Sequence, residues 1–329
     1  IEASGPVFVE RAMYFGYDGH DSTGVNQPAR TWYLPEGLSR GGAHTWLLLM
    51  NPNPTAASAT IRYLKESGEP LVKRVTLKPS SRLNVFTNAD LPESAFSMVV
   101  ESDLPIVAER ASYYDGGKAG AGSAGSSLAS PRWYMAEGFT GHRTTIAVMN
   151  PGATAADVTL TFMLENGSNV RRTLNLPPQQ RLSYAPNQAL PPATAFSTLI
   201  EASQPVVAER TSYLGGDAPG GVQASMGALS PGNSWLLPEG STAAPFQTFV
   251  LLQNPSDAGT TARVVFMLDS GRTVTQDYVL SARSRFTIPV NFVTPNTAVS
   301  VRVDSAGPIV VERSMYFGRG ATDSVGISQ

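Results

Sequence analysis

Charged residues recur at matched positions along this 329-residue chain, and their types would suit acid–base chemistry. Glu36, Glu137 and Glu239 sit in the Trp-led motifs "WYLPEG", "WYMAEG" and "WLLPEG". Glu10, Glu109, Glu209 and Glu312 are each followed by an arginine, namely Arg11, Arg110, Arg210 and Arg313. Arg82, Arg181 and Arg285 follow the turns "LKPSS", "LPPQQ" and "LSARS". Two carboxylates per repeat would serve glycoside cleavage, one as acid and one as base or nucleophile. The matched supply of arginines points instead to ion pairs that neutralise glutamates partly buried in strands. The same constellation three times over also argues against a set of active sites.

Other residues invite a ligand. Trp32, Trp133 and Trp235 open the repeats, and with Tyr33 and Tyr134 they would make a platform for stacking on sugars. A Trp that occurs once per domain equally serves as a core anchor whose N–H finds a carbonyl. "GAGSAG", Gly120 to Gly125, fits a dinucleotide pattern, but no helix follows to complete a phosphate site. His20, Asp21 and Ser22 spell a catalytic triad in a row, yet neighbours in sequence cannot reach the required geometry among themselves. His20, His44 and His142 are the only histidines, none at metal-ligand spacing. A Ca²⁺ loop at Asp18 and Asp21 lacks the spaced carboxylates of a recognisable site, which leaves a plain turn and no expected cofactor.

Composition narrows the partners. The net charge is −2 with only 15% charged residues, so there is no basic footprint for nucleic acid. With no cysteine, disulfides and thiolate chemistry are excluded. No apolar run reaches the length of a membrane span, and the start at Ile1 reads as a processed or excised end.

The elements that must position these residues repeat with a period of about 100. After each Trp motif come an apolar run ending in Asn-Pro, an alternating strand such as "ATIRYL" or "VTLTFML", a Gly turn, the lone arginine, and a segment such as "AFSTLIEAS". Alternation and frequent Gly/Pro/Asn breaks predict short strands throughout. The expected fold is all-β: three tandem antiparallel β-sandwich (Ig-like) units, at 30–130, 131–233 and 234–329. "DGGKAGAGSAGSSLASP" and "GGDAPGGVQASMGALSPGN" read as linkers too poor in apolar residues to pack.

The "VER" segment alone occurs four times, and that excess predicts a linear array rather than a closed ring. Residues 1–29 then hold an orphan strand with apolar Val7, Phe8, Val9, Met13, Tyr14 and Phe15, which must find a sheet elsewhere. An earlier unit of a longer parent would cover it. A neighbouring copy taking it up by strand addition would build a homopolymer.

Taken together, "YFGYDGHDSTGV", "TWYLPEG", "MNP" and "VERAMYF" resemble a tandem-repeat family of large secreted bacterial proteins with W-Y-x-x-E-G, E-R-x-M-Y and G-H-D-S-x-G signatures. The resemblance implies an extracellular or surface-bound β-rich module without assigned catalysis. The middle repeat departs from it, since "DGGKAGAGSAGSS" replaces the His-Asp-Ser loop. The expected function is an extracellular structural protein assembling into a filament, sheath or surface layer. A carbohydrate-binding adhesin module is the alternative, and a glycosidase the remote one.

Overall fold

The computed structural model describes residues 1–215 and 220–329; residues 216–219, within the second expected linker, lie outside the described residues. The chain is all-β, with three antiparallel sandwich modules preceded by a hairpin of β1 (Glu10–Phe15) and β2 (Asp18–Thr23). Module one holds β3 (Ala29–Leu34), β4 (His44–Asn51), β5 (Ala57–Lys65), β6 (Leu71–Leu77), β7 (Ser81–Phe86), β8 (Phe96–Tyr114) and β9 (Ala119–Ala124). Module two repeats these as β10 (Ser130–Met135), β11 (Arg143–Asn150), β12 (Ala156–Leu164), β13 (Asn169–Leu176), β14 (Gln180–Tyr184), β15 (Phe196–Tyr213) and β16 (Val222–Met226). Module three has β17 (Gly232–Leu237), β18 (Phe246–Asn254), β19 (Thr260–Leu268), β20 (Thr273–Leu280), β21 (Ser284–Pro289), β22 (Val299–Phe317), β23 (Gly320–Val325) and the short β24 (Ile327–Ser328).

Each module's two sheets share one long strand. In module one the first half of β8 pairs with β3 and β5, and the second half with β4 and β9. The handover falls at Pro105, between the last β5 partner, Ser102, and the first β4 partner, Val107. Proline has no N–H for the ladder, so a strand can leave one sheet and join another there at little cost. Pro205 and Pro308 occupy the same gap in β15 and β22.

Side chains of β5 alternate between buried and open as a one-sided strand must. Their inner faces build one core per module, around Ile61 and Val100, Leu160 and Ile200, and Val264 and Val303. Trp32, Trp133 and Trp235 lie within these cores.

The modules close into a ring, which corrects the expected linear array. β2, β9, β16 and β23 pack side by side in a circuit, β2 against β9, β9 against β16, β16 against β23 and β23 back against β2. The first linker therefore contains β9, and the described part of the second contains β16, both buried. Their low apolar content has a structural purpose, because only small side chains let four strands crowd one axis. Ala119, Ala121, Val222 and Ala224 form the apolar part of that axis, flanked by Tyr17, Tyr114 and Tyr213. A Cβ on Gly122 would stand 2.5 Å from His20 Nδ1, and one on Gly221 2.6 Å from Asp18 Oδ1.

The fourth "VER" copy is thus one sector of the ring. That sector carries a hairpin and, among the described residues, no sandwich.

Candidate functional site: the ring axis and its ion-pair seams

Consecutive residues of a strand point to opposite faces, so the Glu and Arg of one "ER" pair cannot neutralise each other. They pair across seams instead. Arg11 reaches Glu109, Arg110 reaches Glu209, Arg210 reaches Glu312, and Arg313 returns to Glu10 at 3.1 Å. The cycle passes once around the molecule. Arg210 and Arg313 each take a second carboxylate, Asp323 and Asp21. Glu209, Glu312, Arg110, Arg210 and Arg313 are all buried. Burial lifts the Glu312 carboxyl above its ordinary range, opposed by the Arg210 charge and by hydrogen bonds from Arg210 and the Ala136 N–H.

A second set of pairs lies farther from the axis. Arg181 of module two meets Glu36 of module one at 3.0 Å and Glu66 at 3.4 Å. Arg285 of module three meets Glu137 of module two at 3.4 Å and Glu165 at 3.5 Å. Arg82 departs from the expected ion pair: it is exposed and, among the described residues, has no carboxylate partner. Its seam borders the hairpin sector.

Asp18 plugs one end of the axis. Its carboxylate accepts the N–H groups of Gly120 at 3.0 Å, Val222 at 2.8 Å and Ala321 at 2.9 Å, one from each module's axial strand. Desolvation pushes this carboxyl up to about 6, and the backbone donors hold it from going higher. Further along, Asp21 also sits near 6, raised by burial and pulled back by Arg313. At the two aspartates named for a Ca²⁺ loop, Asp18 accepts backbone N–H groups and Asp21 pairs with the Arg313 guanidinium; among the described residues no group of three potential metal ligands gathers there.

At the other end the strands open into a pit of about 260 Å³, lined by Ser22, Ser123, Ser225 and Ser324 at equivalent positions, with Asp21 and Asp323. His20 is buried with neither ring nitrogen hydrogen-bonded, and desolvation lowers it to about 4. Among the described residues it contacts no serine through either nitrogen, and no nucleophile, base and orienter stand in hydrogen-bond contact along the axis.

Among the residues expected to bind glycans, Trp32, Trp133 and Trp235 are 2%, 1% and 2% exposed. Their indole N–H groups donate to the carbonyls of Ile106, Val206 and Ile309 at 2.8, 2.8 and 2.9 Å. No face is left for a sugar, which corrects the stacking alternative. Of the expected assembly strand, Met13, Tyr14 and Phe15 lie on β1, paired to β2 of the same chain, while Val7 and Phe8 are exposed and Val9 is half-buried. Tyr14 packs on Phe246 and Phe317 of module three, and Phe15 on Tyr113 of module one. Met13, Tyr14 and Phe15 are thus engaged within the chain, which corrects their expected role in strand donation, while Val7 and Phe8 are not engaged.

Sequence reasoning missed the axial strands and the backbone-binding role of Asp18, which it singles out only as a loop carboxylate. A signal existed: Ser-x-Gly recurs in all four copies, at 22–24, 123–125, 225–227 and 324–326.

No protein-family model matches this chain, and no curated protein does. Among solved structures it is similar to Thermotoga maritima 1070, 24% identical over 31% of this chain and 96% of that one, with a TM-score of 0.29. It is similar also to the Anabaena sensory rhodopsin transducer, 24% identical over 25% of this chain and 94% of that one, TM-score 0.24. A tetra-tandem repeat from the extending region of a large adhesion protein is 13% identical over 97% and 79%, TM-score 0.14. None of these likenesses bears on what this chain does.

Proposed function

We propose that this chain is a non-catalytic structural scaffold of an extracellular or cell-surface protein, in which repeated sandwich modules are clamped into a ring rather than strung end to end. The observation that carries this reading is the closed Arg–Glu cycle, sealed by Arg313 and Glu10. Each buried guanidinium is matched across a seam to a carboxylate of the next sector, so charge fixes the order and angle of the modules. Such buried pairs add little net stability over apolar packing, but they penalise any arrangement that leaves one member alone. The resemblance of the repeats to secreted bacterial proteins supports the location.

Solution scattering tests the architecture. A compact ring of 329 residues has a radius of gyration of about 20 Å. Modules strung in a line would exceed roughly 30 Å by the same scaling for each module, and that result would sink the reading. The scaffold role also predicts no turnover in a chromogenic glycoside screen.

A further inference from the structure

The Arg–Glu cycle runs through the hairpin sector, but the contacts made by Arg181, Arg285 and Met149 between neighbouring modules have no counterpart there. Between modules one and two, Met149 is fully buried in a cluster with Leu64 and Val99 of module one. Met50, its counterpart on module one, is 47% exposed, beside Arg82 in a cleft of about 340 Å³. On the far side, Glu239 and Asp269 of module three stand where Glu36 and Glu66 stand in module one. They line another cleft of about 340 Å³. Among the described residues, neither Glu239 nor Arg82 has an ion-pair partner.

The leading residues say what belongs there. "IEASGPVFVER" at 1–11 repeats "IEASQPVVAER" at 200–210, differing only at Gly5, Phe8 and Val9. Ile200 is fully buried, opposite Trp133 and Leu160, whereas Ile1 is 96% exposed. β1 likewise lacks the strand that β4, β11 and β18 supply to β8, β15 and β22.

We propose that the fourth sector seats one further β-sandwich module of this same repeat, whose sheet-crossing last strand is residues 1–15. This module inserts an arginine between Glu239 and Asp269 and offers a glutamate to Arg82. A second copy of the chain cannot provide it. Module one has already spent Glu36 on Arg181, module three has spent Arg285 on Glu137, and module two has spent both. The fit is one of charge and of strand order together.

The test extends the full chain by placing a copy of residues 131–199 directly ahead of Ile1, so that Leu199 precedes Ile1 as it precedes Ile200. A second extension uses residues 30–99, should the first fail to fold. In the 329-residue chain Arg82→Ala leaves the unfolding equilibrium within about 2-fold, as for an exposed charge. In either extended chain the same substitution, or Glu239→Ala, shifts it at least about 10-fold, as for a buried pair losing one member. Amide exchange of residues 2–9 slows as the new module folds onto them. The proposal is overturned if the added module melts separately in both extensions while Arg82→Ala and Glu239→Ala stay neutral. It is overturned equally if the 329-residue chain dimerises with concentration and thereby protects residues 2–9.

Discussion

The Asp18 carboxylate accepts the N–H of Val222 at 2.8 Å across 204 positions of sequence, and the same oxygen also takes the N–H of Gly120. One aspartate from the hairpin thus ties together axial strands that share no direct strand pairing. Removing it leaves three buried N–H donors without acceptors, each worth about 1–3 kcal/mol. Asp18→Ala is expected to destabilise the chain by about 3 kcal/mol or more, read by denaturant unfolding. A loss below about 1 kcal/mol would mean that water or a shifted backbone satisfies those groups.

Crowding at the axis gives a second expectation. A Cβ at Gly221 would come within 2.7 Å of Gly320 Cα and 2.9 Å of the Arg319 carbonyl, both backbone and unable to yield. Gly221→Ala should cost about 1–3 kcal/mol. Gly5→Ala, with open space around it, should cost nothing measurable. Equal melting temperatures for the two variants would contradict the packed axis.

The pH dependence follows from His20, whose position is held by Ala121, Gln223 and Thr322 in the modules. Burial lowers its folded value to about 4 from an ordinary 6.5, so below pH 6.5 the unfolded chain binds a proton that the folded chain refuses. Stability from this group is full above pH 6.5 and is lost as the pH falls toward 4, by about 3 kcal/mol in all. Asp18 and Asp21, raised to about 6, act oppositely: their contribution is present in acid and is lost as the pH rises through 6. His20→Gln isolates the histidine. The stability difference between wild type and variant should shift toward the variant by about 3 kcal/mol between pH 6.5 and pH 4. A flat difference curve would place His20 in contact with water.

Trp133 packs within the core of module two and donates to the Val206 carbonyl. Trp133→Ala is expected to cost about 3–5 kcal/mol of stability. Glycan-array signals, if any, should be unchanged in protein that remains folded, and selective loss of glycan binding without loss of stability would restore the stacking role.

Much of the fold was legible because alternation and turn residues are local signals. The strand in "ATIRYL" runs inside β5, and the Trp motifs begin on β3, β10 and β17, alternating in burial on β3 and β17 while Trp133, Tyr134 and Met135 of β10 are all buried. The recurrence of Glu and Arg announced ion pairs, but their partners come from other sectors and no local pattern encodes that. The axial strands were illegible for a physical reason. At a crowded axis the best side chain is the smallest one, so "AGAGSA" looks like a linker by composition while being paired throughout and buried from Ala119 to Ser123. The surplus "VER" copy was counted correctly, yet the count cannot distinguish a loose end from a sector that lacks its sandwich.

The central claim is that the first and last "ER" segments meet and close the ring. A double-mutant cycle on Glu10→Gln and Arg313→Gln measures that contact directly, because the residues are 303 positions apart and nothing but closure brings them together. Closure predicts a coupling of about 1–3 kcal/mol between the two substitutions. Additivity within about 0.3 kcal/mol, with each single variant near wild-type stability, would contradict it.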